Sequence, residues 1–279
     1  MNKLRVGLVG CGNIGADLCI GLKKGDIPAE IVALTDIDES RAKIFQRTFN
    51  LDATVCDLEK NAASVDFIVE CAVGAVASAV LEAAIRHHTD CLIMSVGGMM
   101  SHADLYERAQ QSGIQVRMPS GALCGLDGVR AAMEAGLHTV TLTTRKPPKG
   151  LMGAPYLAEN NIDIENLDAP KVIFEGSAFE AVKAFPLNVN VAASLSFAGI
   201  GPHDTKVVVI ADPEITNNIH EVVAEGAFGR LTTVTENMPS PRNAKSSYLA
   251  SLSACAELRA AAQAHAAYVH VPVNLASNA

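Results

Sequence analysis

The stretch Leu4-Arg5-Val6-Gly7-Leu8-Val9-Gly10-Cys11-Gly12-Asn13-Ile14-Gly15 runs from an apolar strand pattern directly into a G-x-G-x-x-G turn. Helical spacing from Ile14 to Lys23 follows. In that strand–turn–helix setting each glycine has a separate task. Gly10 makes the tight turn, Gly12 lets the backbone approach a pyrophosphate, and Gly15 lets the helix lie close on the strand. The helix start at Asn13 and Ile14 offers free N–H groups and the positive end of a dipole to a phosphate. A glycine turn without a ligand is the competing reading. The strand before it, the helix after it and an acid downstream weigh against that.

The acid is Asp36, which ends the second strand-like run about 20 residues past the last glycine, where a carboxylate accepts hydrogen bonds from ribose hydroxyls. It also repels a 2′-phosphate, so NAD is favoured over NADP, with Arg41 near enough in sequence to leave room for NADP. A bland alternative makes Asp36 a cap of the next helix.

Working outward, short apolar runs alternate with helical patterns through the first 120 residues. Strands are predicted over Leu4 to Val9, Ile31 to Leu34, Thr54 to Cys56, Phe67 to Cys71, Cys91 to Val96 and Ile114 to Met118. Helices are predicted over Ile14 to Lys23, Glu39 to Phe49, Ala75 to His87 and His102 to Gln111. This is the rhythm of an α/β doubly wound parallel sheet. Past Ser120 it changes. Strand-like runs at Thr139 to Arg145, Val172 to Glu175, Lys206 to Ala211 and Leu231 to Thr235 mix with helical ones at Leu126 to Ala135, Ala178 to Ala184 and Val191 to Phe197. An Ala-rich helix is expected from Ser246 to Ala267, packing through Leu249, Leu252, Leu258 and Ala262 and returning to the first domain. The expected division is a dinucleotide-binding domain over 1–120, an α+β substrate and dimerisation domain over 121–240, and a C-terminal helix and tail over 241–279.

Composition narrows the partners. With 22 Lys and Arg against 30 Asp and Glu, the net charge of −8 disfavours nucleic acid. No apolar run approaches the ~20 residues that cross a bilayer, and the N-terminus has no export-signal pattern, so a cytoplasmic protein is expected. Seven scattered cysteines without zinc spacing suit a reducing compartment and imply no metal.

If a nicotinamide carries the hydride chemistry, the chain must supply orientation and a proton-transfer group. His87, His88, His102, His265 and His270 sit at helix ends or in the tail, and His138 has no polar cluster. His203, in Gly-Pro-His-Asp-Thr, and His220, in Asn-Asn-Ile-His-Glu, are left as equal candidates for the base.

Several motifs together resemble the L-aspartate dehydrogenase family: GCGNIG at 10–15, VECAVGAVA at 69–77, PSGALCGLDG at 119–128, TRKPP at 144–148, FEGSAFEAVKAFPLNVNVAASLSFAG at 174–199 and ENMPSPRNAKSS at 236–247. The glycine element is generic, whereas FEGSA with FPLNVNVAA and PSGA are specific to that family. The resemblance implies a Rossmann domain with a substrate domain, a homodimer, and NAD(P)-dependent oxidation of L-aspartate to iminoaspartate. That imine then hydrolyses to oxaloacetate and ammonia or feeds NAD biosynthesis. The same resemblance makes His220 the catalytic histidine, and Ala122 and Asn188 nicotinamide-side contacts, with Asn190 a second choice and His203 a backup base. The two carboxylates of aspartate need cations or hydroxyls. Arg145, Lys146, Arg242, Lys245, Ser246 and Thr205 are all available, and the sequence does not choose among them. The rival readings are a homoserine-dehydrogenase-like or dihydrodipicolinate-reductase-like oxidoreductase, or a non-catalytic NAD-binding sensor.

Overall fold

A computed structural model of the chain describes residues 3–25, 27–186 and 190–269. The first part alternates strand and helix: β1 Leu4–Val9, α1 Asn13–Lys23, β2 Ala29–Thr35, α2 Glu39–Phe49, β3 Thr54–Val55, α3 Leu58–Ala63, β4 Phe67–Glu70, α4 Gly74–His87, β5 Asp90–Ile93, α5 Ala103–Ser112 and β6 Val116–Arg117. The strands form one parallel sheet in the order β3-β2-β1-β4-β5-β6. β1 and β4 are buried at nearly every position, as strands covered by helices on both faces must be. The strand order reverses between β1 and β4, and in open parallel sheets ligands bind at the carboxyl ends of the strands flanking such a reversal.

The second part continues α6 Leu126–Met133, β7 Leu137–Lys146, α7 Pro155–Glu159, β8 Lys171–Ser177, α8 Ala178–Ala184, α9 Asn190–Ala198, β9 Lys206–Ala211, β10 Asn218–Gly226, β11 Gly229–Asn237, β12 Pro239–Ser240, β13 Asn243–Ser247 and α10 Tyr248–Val269. Five of these strands make a mixed sheet, β11-β10-β7-β9-β8, in which only β7 and β9 run parallel. One face carries α6, α8 and α9 over a core of Val140, Leu142, Val207, Val209, Val222 and Ala224. A doubly wound sheet with a second α+β unit is therefore the architecture.

Local chemistry explains most boundaries. Asp38 caps α2 by accepting from the Ser40 and Arg41 N–H groups, and Asp57 caps α3. Ser177 and Glu180 form a reciprocal capping box at α8. The fifth strand, predicted to reach Val96, stops at Ile93. Ser95 instead gives its N–H and hydroxyl to the Glu70 carboxylate, and Val96–Met99 tightens into a 3-10 turn. The α3 helix and the nine-residue strand β10 are absent from the sequence prediction. In β10 the inward positions are His220, Val222 and Ala224, so a histidine where an apolar residue is expected breaks the alternation. The helix α10 packs against α1 and the first sheet through Ala254, Leu258, Ala261 and Ala262, and the expected anchor Leu252 is 45% exposed. Among the described residues no helix is long and apolar enough to cross a membrane.

Candidate active site

At the carboxyl ends of β1, β2 and β4 lies a cleft of about 540 Å³ whose walls include Gly10, Gly12, Asp36, Arg41, Ala72 and Val73. Gly10 has φ +100°, and a Cβ there would stand 2.7 Å from the Ala72 nitrogen, so the turn is pressed against the β4 loop. A Cβ on Gly12 would meet nothing within 4 Å, which leaves its backbone open to the cleft. On Gly15 a Cβ would come within 3.0 Å of the Gly10 carbonyl and of Leu8, as close helix–strand packing requires. The first turn of α1, with Asn13 and Ile14, has Gly12 at its N-cap and no side-chain cap, so its N–H groups are available to an anion.

The Asp36 carboxylate is 6% exposed. It accepts from the Cys11 N–H at 2.9 Å and the Asp38 N–H at 3.0 Å, with an Arg41 nitrogen 3.9 Å away. It does not cap α2, because Asp38 does. The Ile37 and Val73 side chains stand largely exposed at the cleft, giving it apolar lips beside the acid. Cys11 and Cys71 are buried beneath the turn, and burial pushes the Cys11 thiol up to about 12, so these cysteines are packing groups rather than nucleophiles.

His220 is not among the walls of that cleft. It is buried on the helix-covered face of the second sheet, opposite Thr144 of β7 and Thr235 of β11. Its Nδ1 lies 3.1 Å from the Thr144 hydroxyl. Burial, with the Lys146 charge adding to it, pulls the imidazole down to about 3, so the ring is neutral at any working pH. Lys146 is the next inward residue of β7, itself buried, and burial pulls its amine down to about 8.

A row of contacts joins the two regions. Gly10 abuts Ala72; a Cβ on Gly98 would strike the Gly74 carbonyl that opens α4; and the neighbouring Gly97 N–H donates to the Asn190 side chain at the start of α9 at 3.1 Å. Farther along, the Ala122 carbonyl accepts from the Thr235 hydroxyl at 2.9 Å and the Asn237 amide at 3.1 Å. Ala122 is thereby held against the strand next to His220. Both of its carbonyl lone pairs are engaged, which leaves the N–H as what it can offer a ligand.

Other candidates separate. Asn188 lies outside the described residues. Asn190, the second choice, spends its side-chain oxygen on Gly97. His203 is exposed on the turn before β9 and stacks on Phe179 at 4.7 Å, whereas His220 sits toward the other end of β9's partner β7. Of the carboxylate-binding candidates, Arg145 pairs with buried Asp212 at 3.1 Å and Arg242 with Asp17 at 2.9 Å. The Thr205 hydroxyl donates to the Gly201 carbonyl and the Ser246 hydroxyl to the Asn243 carbonyl. Nothing is described of the Lys245 side chain. Glu70 escaped the sequence reading. Fully buried, it accepts from the Ala72 N–H and from both donors of Ser95, so it ties together the two loops that border the glycine turn and α9. Burial raises its carboxyl above the usual range despite those bonds. Among the described residues no cluster of three or more His, Cys, Asp or Glu could hold a metal.

Known proteins resemble this chain over most of its length. Residues 127–261 match the family model described as aspartate dehydrogenase, C-terminal, and residues 10–119 match the NAD binding domain of homoserine dehydrogenase. An L-aspartate dehydrogenase of Methanosarcina mazei is 44% identical over 260 residues, covering 92% of this chain and 96% of that protein. The chain belongs to the L-aspartate dehydrogenase family. The family likeness extends to bacteria, with 38% identity to an L-aspartate dehydrogenase of Bradyrhizobium diazoefficiens over 92% of this chain and 91% of that one. The crystal structure of aspartate dehydrogenase from Thermotoga maritima superposes with a TM-score of 0.74 at 26% identity, covering 93% of this chain and 97% of that one. L-aspartate dehydrogenase relatives thus match both the glycine-turn half and the half carrying His220.

Proposed function

We propose that the protein is an NAD(P)-dependent L-aspartate dehydrogenase, converting L-aspartate to iminoaspartate and on to oxaloacetate and ammonia, reversibly. The observation that carries this reading is the buried, neutral imidazole of His220 on β10, bonded to Thr144 of β7 on one side and flanked on the other by β11, which grips Ala122. The family supplies the substrate class, and the site supplies residues suited to it.

The glycine turn fits a dinucleotide. Gly12 presents open backbone, the first turn of α1 presents N–H donors through Asn13, Ile14 and Gly15, and Asp36 keeps acceptor capacity beside apolar Ile37. Bound there, a nicotinamide dinucleotide supplies the two-electron acceptor for the hydride that leaves the substrate Cα. Asp36 favours NAD, and a swing of the half-exposed Arg41 accommodates NADP. Ala122 contributes its N–H on the nicotinamide side, with Asn188 as the second contact proposed there.

His220 does the proton work. A neutral ring holding Nδ1 against Thr144 has Nε2 for the substrate side, where it accepts a proton from the water that adds to the imine carbon. Carbinolamine collapse then releases ammonia and leaves oxaloacetate. Burial of the site keeps bulk water from competing with that one addition.

The division of labour we assign is cofactor to 1–120, substrate and dimer contacts to 121–240, and a clasp on the first sheet to 241–279. A homodimer is supported by the uncovered face of the five-stranded sheet, where Val172 and Val234 are each 55% exposed. The free state of all seven cysteines supports the cytoplasm as its location.

The test is a panel of amino and keto acids followed at the NADH absorbance band with both coenzymes. NAD reduction with L-aspartate, or NADH oxidation with oxaloacetate plus ammonium, is the expected result. Turnover of homoserine in place of L-aspartate overturns it.

A further inference from the structure

We propose that Glu70 is a positioning residue for the nicotinamide half of the coenzyme, its carboxylate fastening together the two loops on which that half rests. That role rests on the reading of the glycine turn as the seat of a nicotinamide dinucleotide.

Sheet order decides which half of the coenzyme lies where. With Asp36, just past β2, on the adenosine ribose and the glycine turn after β1 on the pyrophosphate, the order β3-β2-β1-β4-β5-β6 leaves the carboxyl ends of β4 and β5 to the nicotinamide half. Glu70 is the last residue of β4, in register with Val9 of β1 and Ile93 of β5. Phe67, Ile68 and Val69 before it are buried and apolar. Ile68, two residues back and so on the same face, belongs to the core that includes Ala77 and Val80 of α4 and Met99. The strand thus ends by sending a carboxylate into a layer where it otherwise sends aliphatic carbon. Taking that group out of water is costly, and the layer itself has no need of a charge.

What the carboxylate does there is hold both loops. One oxygen accepts the Ala72 N–H at 2.8 Å and the Ser95 hydroxyl at 2.9 Å, and the other accepts the Ser95 N–H at 2.8 Å. Ala72 lies in the loop after β4, pressed against the glycine turn, where a Cβ on Gly10 would stand 2.7 Å from its nitrogen. Ser95 lies in the loop after β5. Its carbonyl accepts the Gly98 N–H at 2.9 Å, and Gly98 in turn sits against the Gly74 backbone. Gly97, next to it, reaches Asn190 of α9. One carboxylate therefore fixes the floor between the pyrophosphate turn and the helix layer over the sheet that carries His220. A glutamine in its place has a single acceptor oxygen, so at least one of the Ala72 and Ser95 donors would face another N–H group.

The experiment titrates the full chain by calorimetry with NADH and with ADP-ribose, which carries the adenosine and the pyrophosphate but no nicotinamide. Glu70→Gln is expected to weaken NADH by about tenfold or more, the scale of a lost charge-assisted bond, and ADP-ribose by less than about threefold, since the contacts of Asp36 and α1 are untouched. Ser95→Ala keeps the carboxylate and removes only the hydroxyl bond. It is expected to shift the ratio of NADH to ADP-ribose affinity the same way by about threefold, and it carries the test if the Gln variant does not fold. Equal losses for the two probes, or no loss for either, overturn the proposal, because a carboxylate that merely held the fold together would move both alike. Wild type that binds neither probe defeats the glycine-turn reading and this role with it. Turnover of L-aspartate by wild type is followed in parallel. Its absence beside a Glu70-dependent preference for NADH defeats the substrate reading above and leaves the positioning role standing.

Discussion

The Nδ1 of His220 and the hydroxyl of Thr144 lie 3.1 Å apart across the β10–β7 pair, both buried. A ring so held has one orientation, and the hydroxyl is the only side-chain polar atom bonded to it among the described residues. Thr144→Val removes the bond while keeping the branched shape. Since a buried hydrogen bond contributes about 1–1.5 kcal/mol, kcat for aspartate oxidation is expected to fall roughly tenfold, with NADH affinity unchanged. Thr144→Ser is expected to restore most of it. Equal kcat in the Val variant would remove Thr144 from the mechanism.

Coenzyme choice is expected to turn on Asp36. Asp36→Asn keeps an acceptor for the Cys11 N–H but removes the charge proposed to meet the ribose. The efficiency with NAD is expected to fall roughly 10-fold or more, as loss of a charge-assisted bond implies, while that with NADP holds or rises. Steady-state kinetics with both coenzymes decide it. An unchanged NAD to NADP ratio would assign Asp36 to holding the glycine turn alone.

The first two glycines of the turn are expected to fail in different ways. Gly10→Ala places a Cβ at 2.7 Å from backbone at φ +100°, so it costs at least about 1–2 kcal/mol of strain and lowers the melting temperature. Gly12→Ala meets nothing in the protein, so its melting temperature should match wild type while NADH affinity drops. Thermal melts with and without NADH separate the two. Equal melting temperatures for both variants would deny the close contact at Gly10.

How much of this was legible beforehand varies with the physics. The glycine turn, Asp36 and the parallel ladder were readable because turn, strand and helix signals are local and agreed with one another. The strand carrying His220 was not, because the histidine occupies an inward position and so erases the period-two signal that marks a half-buried strand. The local signal for that strand lies at its far end, where Gly226-Ala227-Phe228-Gly229 pairs its two glycines around a two-residue turn. That Lys146 lies on the buried face of β7 and Arg145 on the other is a matter of sheet register, which neighbours in sequence do not reveal. Glu70 likewise looks like an ordinary acid until its three donors are brought around it from two loops.

Acid stability should carry the mark of His220. The ring titrates near 6.5 when unfolded and near 3 when folded, so between those values the unfolded chain binds the extra proton. Stability is therefore expected to fall as pH drops below 6.5, by up to about 1.4 kcal/mol per pH unit from this group. His220→Asn should flatten that limb. Denaturant melts of both proteins from pH 7 to 4 supply the comparison, and parallel curves would mean the imidazole is not buried neutral.

The most direct measurement is turnover by His220→Ala, scored as NADH oxidation with oxaloacetate and ammonium beside NADH affinity by fluorescence. Loss of a proton-transfer group typically costs roughly 10²–10⁴-fold in rate, and a drop of that size with coenzyme affinity intact is the expected result. Wild-type rates in the variant would contradict the assignment of the chemistry to His220.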